Sequence, residues 1–97
     1  MFDFTHKVVL ITGASYGFGE QFAYAFAKAG ANLVLTARST EALEQVGETC
    51  RASGAEVVVV AGDVSKESDV NQVIQQGIEA LGKIGVLINN AGIADPR

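Results

Sequence analysis

The sequence predicts an α/β protein built on a parallel sheet, and three observations carry that prediction. Short apolar runs alternate with longer amphipathic stretches, the runs are mostly valine-rich, and glycines fall between the two kinds of segment. Apolar runs without polar alternation suit strands covered on both faces. Helical crossovers between such strands make them parallel, with right-handed connections and helices on both sides.

The elements follow in order. KVVLIT (7–12) reads as the first strand, and a glycine-bearing loop leads from it into a helix from Gly17 to Ala29. That helix places Phe22, Phe26 and Ala29 on one face, with Gly30 as the residue that ends it. ANLVLTA (31–37) is the second strand. The second helix runs from about Thr40 to Ala52, opening with a Ser39 or Thr40 cap and ending near Gly54. AEVVVVA (55–61) is the third strand, and the helix from Lys66 to Leu81 carries an apolar stripe of Val70, Val73, Ile74, Ile78 and Leu81 before Gly82 closes it. GVLIN (85–89) is the fourth strand. The order is β-α-β-α-β-α-β. In the usual doubly wound arrangement the first strand lies between the second and the fourth, the third is at an edge, and ligands bind beyond the carboxyl ends of the strands where the order reverses.

Composition bounds the function. A chain of 97 residues has room for one small domain, which buries only about 60–68% of its unfolded surface and so has a thin stability margin. A net charge of −4, with seven scattered Lys and Arg, argues against a nucleic-acid partner. The single cysteine, Cys50, precludes an internal disulfide framework and fits a reducing, cytoplasmic setting. The amino terminus lacks the charge pattern of a signal peptide, and no run approaches the roughly 18 apolar residues of a spanning helix, so no membrane segment is expected. The acidic residues show no metal-ligand spacing.

The chemistry concentrates in TGASYGFG, with glycines at 13, 17 and 19. Here glycines let the backbone turn tightly and approach a pyrophosphate, while Gly17–Glu20 opens a helix whose free N–H groups attract anions. A glycine triad is a weak signal alone; following a strand and opening a helix within a β-α-β unit, it reads as a Rossmann-type dinucleotide loop. No Gly-Lys-Ser/Thr ending is present, which removes the P-loop alternative.

Thr12-Gly13-x-x-x-Gly17-x-Gly19, Asp63-Val64 after the third strand and Asn89-Asn90-Ala91-Gly92 after the fourth together resemble the short-chain dehydrogenase/reductase family. The resemblance covers nearly all of this chain but only the first part of a family domain of about 250 residues, a size open to single domains. It therefore implies a partial NAD(P)-binding domain over residues 1–97, truncated after the fourth strand. Phe18 stands where the family most often has Ile.

Carried over by position, the resemblance implies that Gly13, Ser15, Tyr16, Gly17, Phe18 and Gly19 line the pyrophosphate and ribose. Asp63 would accept from the adenine amine while the Val64 backbone meets the ring, and Asn90, Ala91 and Gly92 would pass the adenosine ribose. Asn89 would brace the sheet. Asp63 could instead cap the helix after Ser65, and the asparagines could form a simple turn.

Cofactor choice rests on TARST at the end of the second strand. NAD-binding folds place an acid there for the ribose 2′-hydroxyl. Ala37 takes that place and Arg38 follows, so a 2′-phosphate meets a guanidinium fork instead of a carboxylate. Ser39 and Thr40 could add hydroxyl donors. The expectation is NADP, with NAD less favoured.

The resemblance also implies hydride transfer between nicotinamide and an alcohol or carbonyl, using a Tyr-x-x-x-Lys pair and a serine. Tyr24 and Lys28 have that spacing but lie two turns into the first helix, beside the loop and away from the nicotinamide. No catalytic residue is therefore assigned. His6 and Cys50 read as surface and buried bystanders. The open, apolar edge of the fourth strand suggests self-association or a partner strand. A non-catalytic nucleotide-binding or interaction module is the competing reading.

Overall fold

The computed structural model describes residues 3–90. Strand β1 (Val8–Thr12) is buried along its whole length, because each side of it receives a strand and each face receives a layer of side chains. Its neighbours are β2 (Asn32–Ala37) on one side and β4 (Val86–Ile88) on the other, with β3 (Val57–Ala61) beyond β2. The order β3-β2-β1-β4 is all parallel, as the sequence predicts. Helices α1 (Gly17–Lys28), α2 (Thr40–Ala52) and α3 (Glu67–Leu81) make the crossovers.

Alternation along the strands sends neighbouring side chains to opposite faces. Val9, Ile11, Leu33 and Leu35 pack with Ala23 and Ala27 of α1 and with Leu43, Val46 and Cys50 of α2. Val8, Leu10, Val34 and Val60 pack with Val73 of α3. Two helices thus cover one face and one covers the other, which is what makes uninterrupted apolar strands stable here.

The helices meet the sheet through smaller residues than the sequence suggests. In α1 the buried line is Gly19, Ala23 and Ala27. Phe22, Phe26 and Ala29 are only half-buried, contrary to expectation. Small residues let the α1 backbone settle close to the strands, and this turns the phenylalanines to its flank, where Phe26 meets Phe4 edge-on at 5.0 Å between ring centroids. In α3, Val73 and Gly77 face the sheet, while Ile74 and Ile78 of the predicted stripe are exposed. A side chain on Gly77 would press into Val34, so the position works as a contact surface.

Element ends shift by a residue or two. β3 starts at Val57 and α3 at Glu67, with Lys66 in the capping position. β4 stops at Ile88 because the Asn90 N–H turns back onto the Ile88 carbonyl at 3.1 Å. Ser39 occupies the capping position of α2, but its side chain makes no capping hydrogen bond.

Candidate functional site

Where β1 ends, the chain is held from both sides. The Thr12 hydroxyl donates to Asn89 Oδ1 at 3.1 Å, joining the ends of β1 and β4. Gly13, at φ 61, takes the left-handed turn that a side chain would resist. The next amide, Ala14 N–H, donates to the Thr36 carbonyl of β2 at 3.1 Å, while Asn90 Nδ2 donates to the Gly13 carbonyl at 3.1 Å. The loop therefore straddles the point where the strand order reverses.

The start of α1 faces outward from that loop. Tyr16 is the capping residue, in extended backbone, and its side chain does not cap the helix. The Glu20 N–H reaches the Tyr16 carbonyl at 3.4 Å, so the N–H groups of Gly17, Phe18 and Gly19 belong to the first turn that has no intrahelical acceptor. Such a turn attracts anions. Gly19 is where this arrangement tolerates least: a Cβ there would collide with the Gly13 carbonyl and come within 2.8 Å of Asn90 Nδ2.

Beyond the strand ends lies a cavity of about 610 Å³, which is within the size range of small-molecule sites. Gly13, Ser15, Tyr16, Arg38, Ser39, Asp63, Val64 and Asn90 line it, so the fold brings together residues read from four separate stretches of sequence. Gly17, Phe18 and Gly19 lie outside its lining. Gly19 is buried beneath the loop, whereas Phe18 is 65% exposed and stacks on Phe22 with centroids 6.4 Å apart. Ala91 and Gly92 lie outside the described residues.

The charges in the cavity are complementary. The Ser65 hydroxyl and N–H donate to Asp63 Oδ1 at 2.7 and 2.9 Å. These bonds, helped by the charges of Arg38 and Lys66, hold the Asp63 carboxyl below its usual range. Asp63 is thus an acceptor at neutral pH; the turn it makes with Ser65 lies ahead of α3, and no side chain caps that helix, so Asp63 does not take the capping role the sequence left open. Arg38 supplies the cation. Ser39, whose side chain makes no capping bond, lines the cavity beside it.

Sequence reasoning missed Gly62 and Ser65, which also line the cavity, and Asp69. The small Gly62 at a strand end was the available signal. Its N–H donates to the Ala37 carbonyl at 3.0 Å and so ties the ends of β2 and β3. Asp69 gave only the signal of an acid in a helix's first turn, yet its Oδ2 accepts the Asp63 N–H at 2.8 Å.

The Tyr24 and Lys28 pair sits elsewhere. The Tyr24 hydroxyl donates to Glu20 Oε2 at 2.7 Å on α1, and neither residue lines the cavity. Burial and that carboxylate raise the Tyr24 pKa, the opposite of what an ionising acid/base needs. Cys50 is buried, and burial pushes its thiol up to about 11. His6 is exposed ahead of β1.

With this geometry in place, a profile described as short chain dehydrogenase matches residues 7–97. The chain belongs to the short-chain dehydrogenase family. An 11-beta-hydroxysteroid dehydrogenase-like 2 from Arabidopsis thaliana is 51% identical over 90 residues, which is 92% of this chain and 29% of that protein. The 11-beta-hydroxysteroid dehydrogenase A of Sesamum indicum is 50% identical, over 94% of this chain and 26% of that protein. The chain therefore spans under a third of these curated relatives. Among solved structures, a short-chain type dehydrogenase/reductase from Mycobacterium marinum superposes with a TM-score of 0.90 at 35% identity, covering 99% of this chain and 39% of that one. A relative from Burkholderia phymatum, in complex with NAD, gives 0.84 at 44% identity, covering 90% and 31%.

Family membership implies a nicotinamide dinucleotide, and the residues present fit one. The first turn of α1 offers N–H groups that have no intrahelical acceptor, which suits phosphates, and a cation and an anion, Arg38 and Asp63, share the adjoining cavity. Among the described residues no helix is long and apolar enough to cross a membrane.

Proposed function

We propose that residues 1–97 form the dinucleotide-binding part of an NADP(H)-dependent short-chain oxidoreductase. One observation carries the reading: the cavity beyond the strand ends joins the glycine loop to Arg38, with Ala37 where an acid would favour NAD. The α1 first turn and Gly13 would hold the pyrophosphate, and Ser15 and Tyr16 the adjoining sugar and phosphate oxygens. Arg38 and Ser39 would take the 2′-phosphate, and Asp63, Val64 and Asn90 the adenosine. Ala91 and Gly92 extend that last assignment along the chain. When bound, the nicotinamide carries hydride to or from an alcohol or carbonyl.

The NAD-bound relative makes cofactor choice the point to test. NADPH, NADH and adenosine 2′,5′-bisphosphate are titrated into the chain and its Arg38→Ala variant by calorimetry. A charge-assisted phosphate contact predicts an NADPH preference of about ten- to a hundredfold, lost in Arg38→Ala. Equal affinities for NADPH and NADH in the unchanged chain would sink the NADP assignment, and no binding of either would sink the dinucleotide reading.

Catalysis, in this reading, needs side chains beyond those of this sequence; the engagement of Tyr24 with Glu20 on α1 supports it. The reducing, cytoplasmic setting rests on the lone, buried Cys50. A second reading, an interaction module that pairs through β4, is favoured by one observation: β4 has β1 as its only strand neighbour among the described residues, and its Leu87 is 59% exposed. Concentration-dependent sedimentation tests it, and a monomer at all concentrations would remove it.

A further inference from the structure

We propose that Asp69 is a positioning residue for base recognition, acting through the backbone of Asp63. The inference rests on the dinucleotide reading above.

An acid in the first turn of a helix ordinarily favours the helix dipole or bonds back to its own capping residue. Asp69 does something different. The capping residue of α3 is Lys66, and the Lys66 N–H is already given to the Asp63 carbonyl at 2.9 Å. Asp69 Oδ2 instead reaches past the cap and accepts the Asp63 N–H at 2.8 Å, in a half-buried position. Both polar groups of the Asp63 backbone are therefore fastened to the start of α3. A Cβ built on Gly62 would lie 3.5 Å from the Asp69 Cβ, so Asp69 also packs beside the strand end that delivers Asp63.

The consequence falls on one carboxylate oxygen. Asp63 Oδ1 accepts twice from Ser65, which leaves Oδ2 as the oxygen to meet a ligand in the cavity. An ionised carboxylate only accepts, so a base with an exocyclic amine matches it and a base with a carbonyl at that place repels it. The bond from Asp69 sets the backbone from which that oxygen is aimed, and so sets how sharply the cavity separates an amino base from an oxo base.

The test compares NADPH with its hypoxanthine analogue, which has a carbonyl in place of the adenine amine. Affinities are measured for the unchanged chain and for Asp63→Ala, Asp69→Ala, Asp69→Asn and Asp69→Ser. The unchanged chain and Asp69→Asn, whose amide oxygen still accepts, should prefer adenine. Asp69→Ala should lower that preference by about three- to tenfold, as loss of one hydrogen bond's guidance would. Asp69→Ser, compatible with a helix start but too short to reach Asp63, should do the same if the alanine variant does not fold. A merely structural role would lower thermal stability and weaken both ligands equally. An unchanged preference in Asp69→Ala or Asp69→Ser, with the preference abolished in Asp63→Ala, would overturn the proposal. If the unchanged chain binds NADPH without base preference, the proposal also falls while dinucleotide binding stands; if it binds neither ligand, the dinucleotide reading itself fails.

Discussion

The line of side chains running across the sheet from β2 to β4 shows how differently its two sides are protected. Val34 of β2, Leu10 of β1 and Leu87 of β4 are register partners, yet their exposures are 0%, 5% and 59%. All three are aliphatic residues in parallel strands. The difference comes from what lies above them: α3 packs across β2 and β3, and among the described residues β4 has a strand on one side only. A strand's composition allows burial, but only a neighbouring layer supplies it. The candidate cavity follows the same division, since most of its lining comes from the loop after β1 and from the ends of β2 and β3, while β4 contributes Asn90.

Leucine truncations on the two sides give the largest test of this contrast. Leu33→Ala, at a fully buried β2 position, should cost about 2–5 kcal/mol through lost transfer energy and a cavity. In a chain this small that removes much of the total, and chemical denaturation should show a large drop in midpoint. A loss below about 1 kcal/mol would mean that the β2 side is no better packed than a surface.

Gly19→Ala asks whether the tie between the loop and β4 matters. The added methyl collides with the Gly13 carbonyl and crowds Asn90 Nδ2, and backbone cannot step aside cheaply. A stability loss of about 1–3 kcal/mol is expected, together with loss of dinucleotide binding. Native affinity in a folded Gly19→Ala chain would show that the observed loop geometry is dispensable.

A smaller effect of opposite sign is expected at Thr36. Its side chain is fully buried, and its hydroxyl has no hydrogen-bond partner among the described residues. Thr36→Val keeps the shape and removes the stranded polar group, so it should raise stability by about 1 kcal/mol in thermal or denaturant unfolding. A loss would indicate that the hydroxyl is satisfied in solution.

The smallest effect belongs to the exposed side. Leu87→Ala should change stability by no more than about 0.5 kcal/mol, because little area is removed from water there to begin with. If it instead costs as much as Leu33→Ala, Leu87 is covered in solution, and sedimentation of the two variants would show whether a second copy does the covering.

Much of this was legible in the residues. Valine-rich runs between amphipathic stretches announced the parallel order, and the loop with Gly13, Gly17 and Gly19 announced the turn from β1 into α1 beside the candidate cavity. The helix faces were less legible. Phe22 and Phe26 outweigh Ala23 and Ala27 in hydrophobicity, so periodicity favours the phenylalanines. Close packing favours the smaller pair, because a helix lies nearest a sheet where its side chains are short. Ser39 misled for a related reason: residue type names a cap, but only the local backbone decides whether the side chain reaches an N–H.

By itself the sequence determined the alternation of elements, the glycine pattern of the first loop and the presence of a cation, Arg38, where an acid could have stood, because these depend on local residue type and spacing. Tertiary structure alone decided that Arg38, Asp63 and Asn90 share one cavity, and that Asp69 fastens Asp63 to α3. It also decided that Leu87 lies exposed while Val34 is enclosed. Those facts depend on which strands become neighbours, and the neighbours of a strand are chosen by the whole fold.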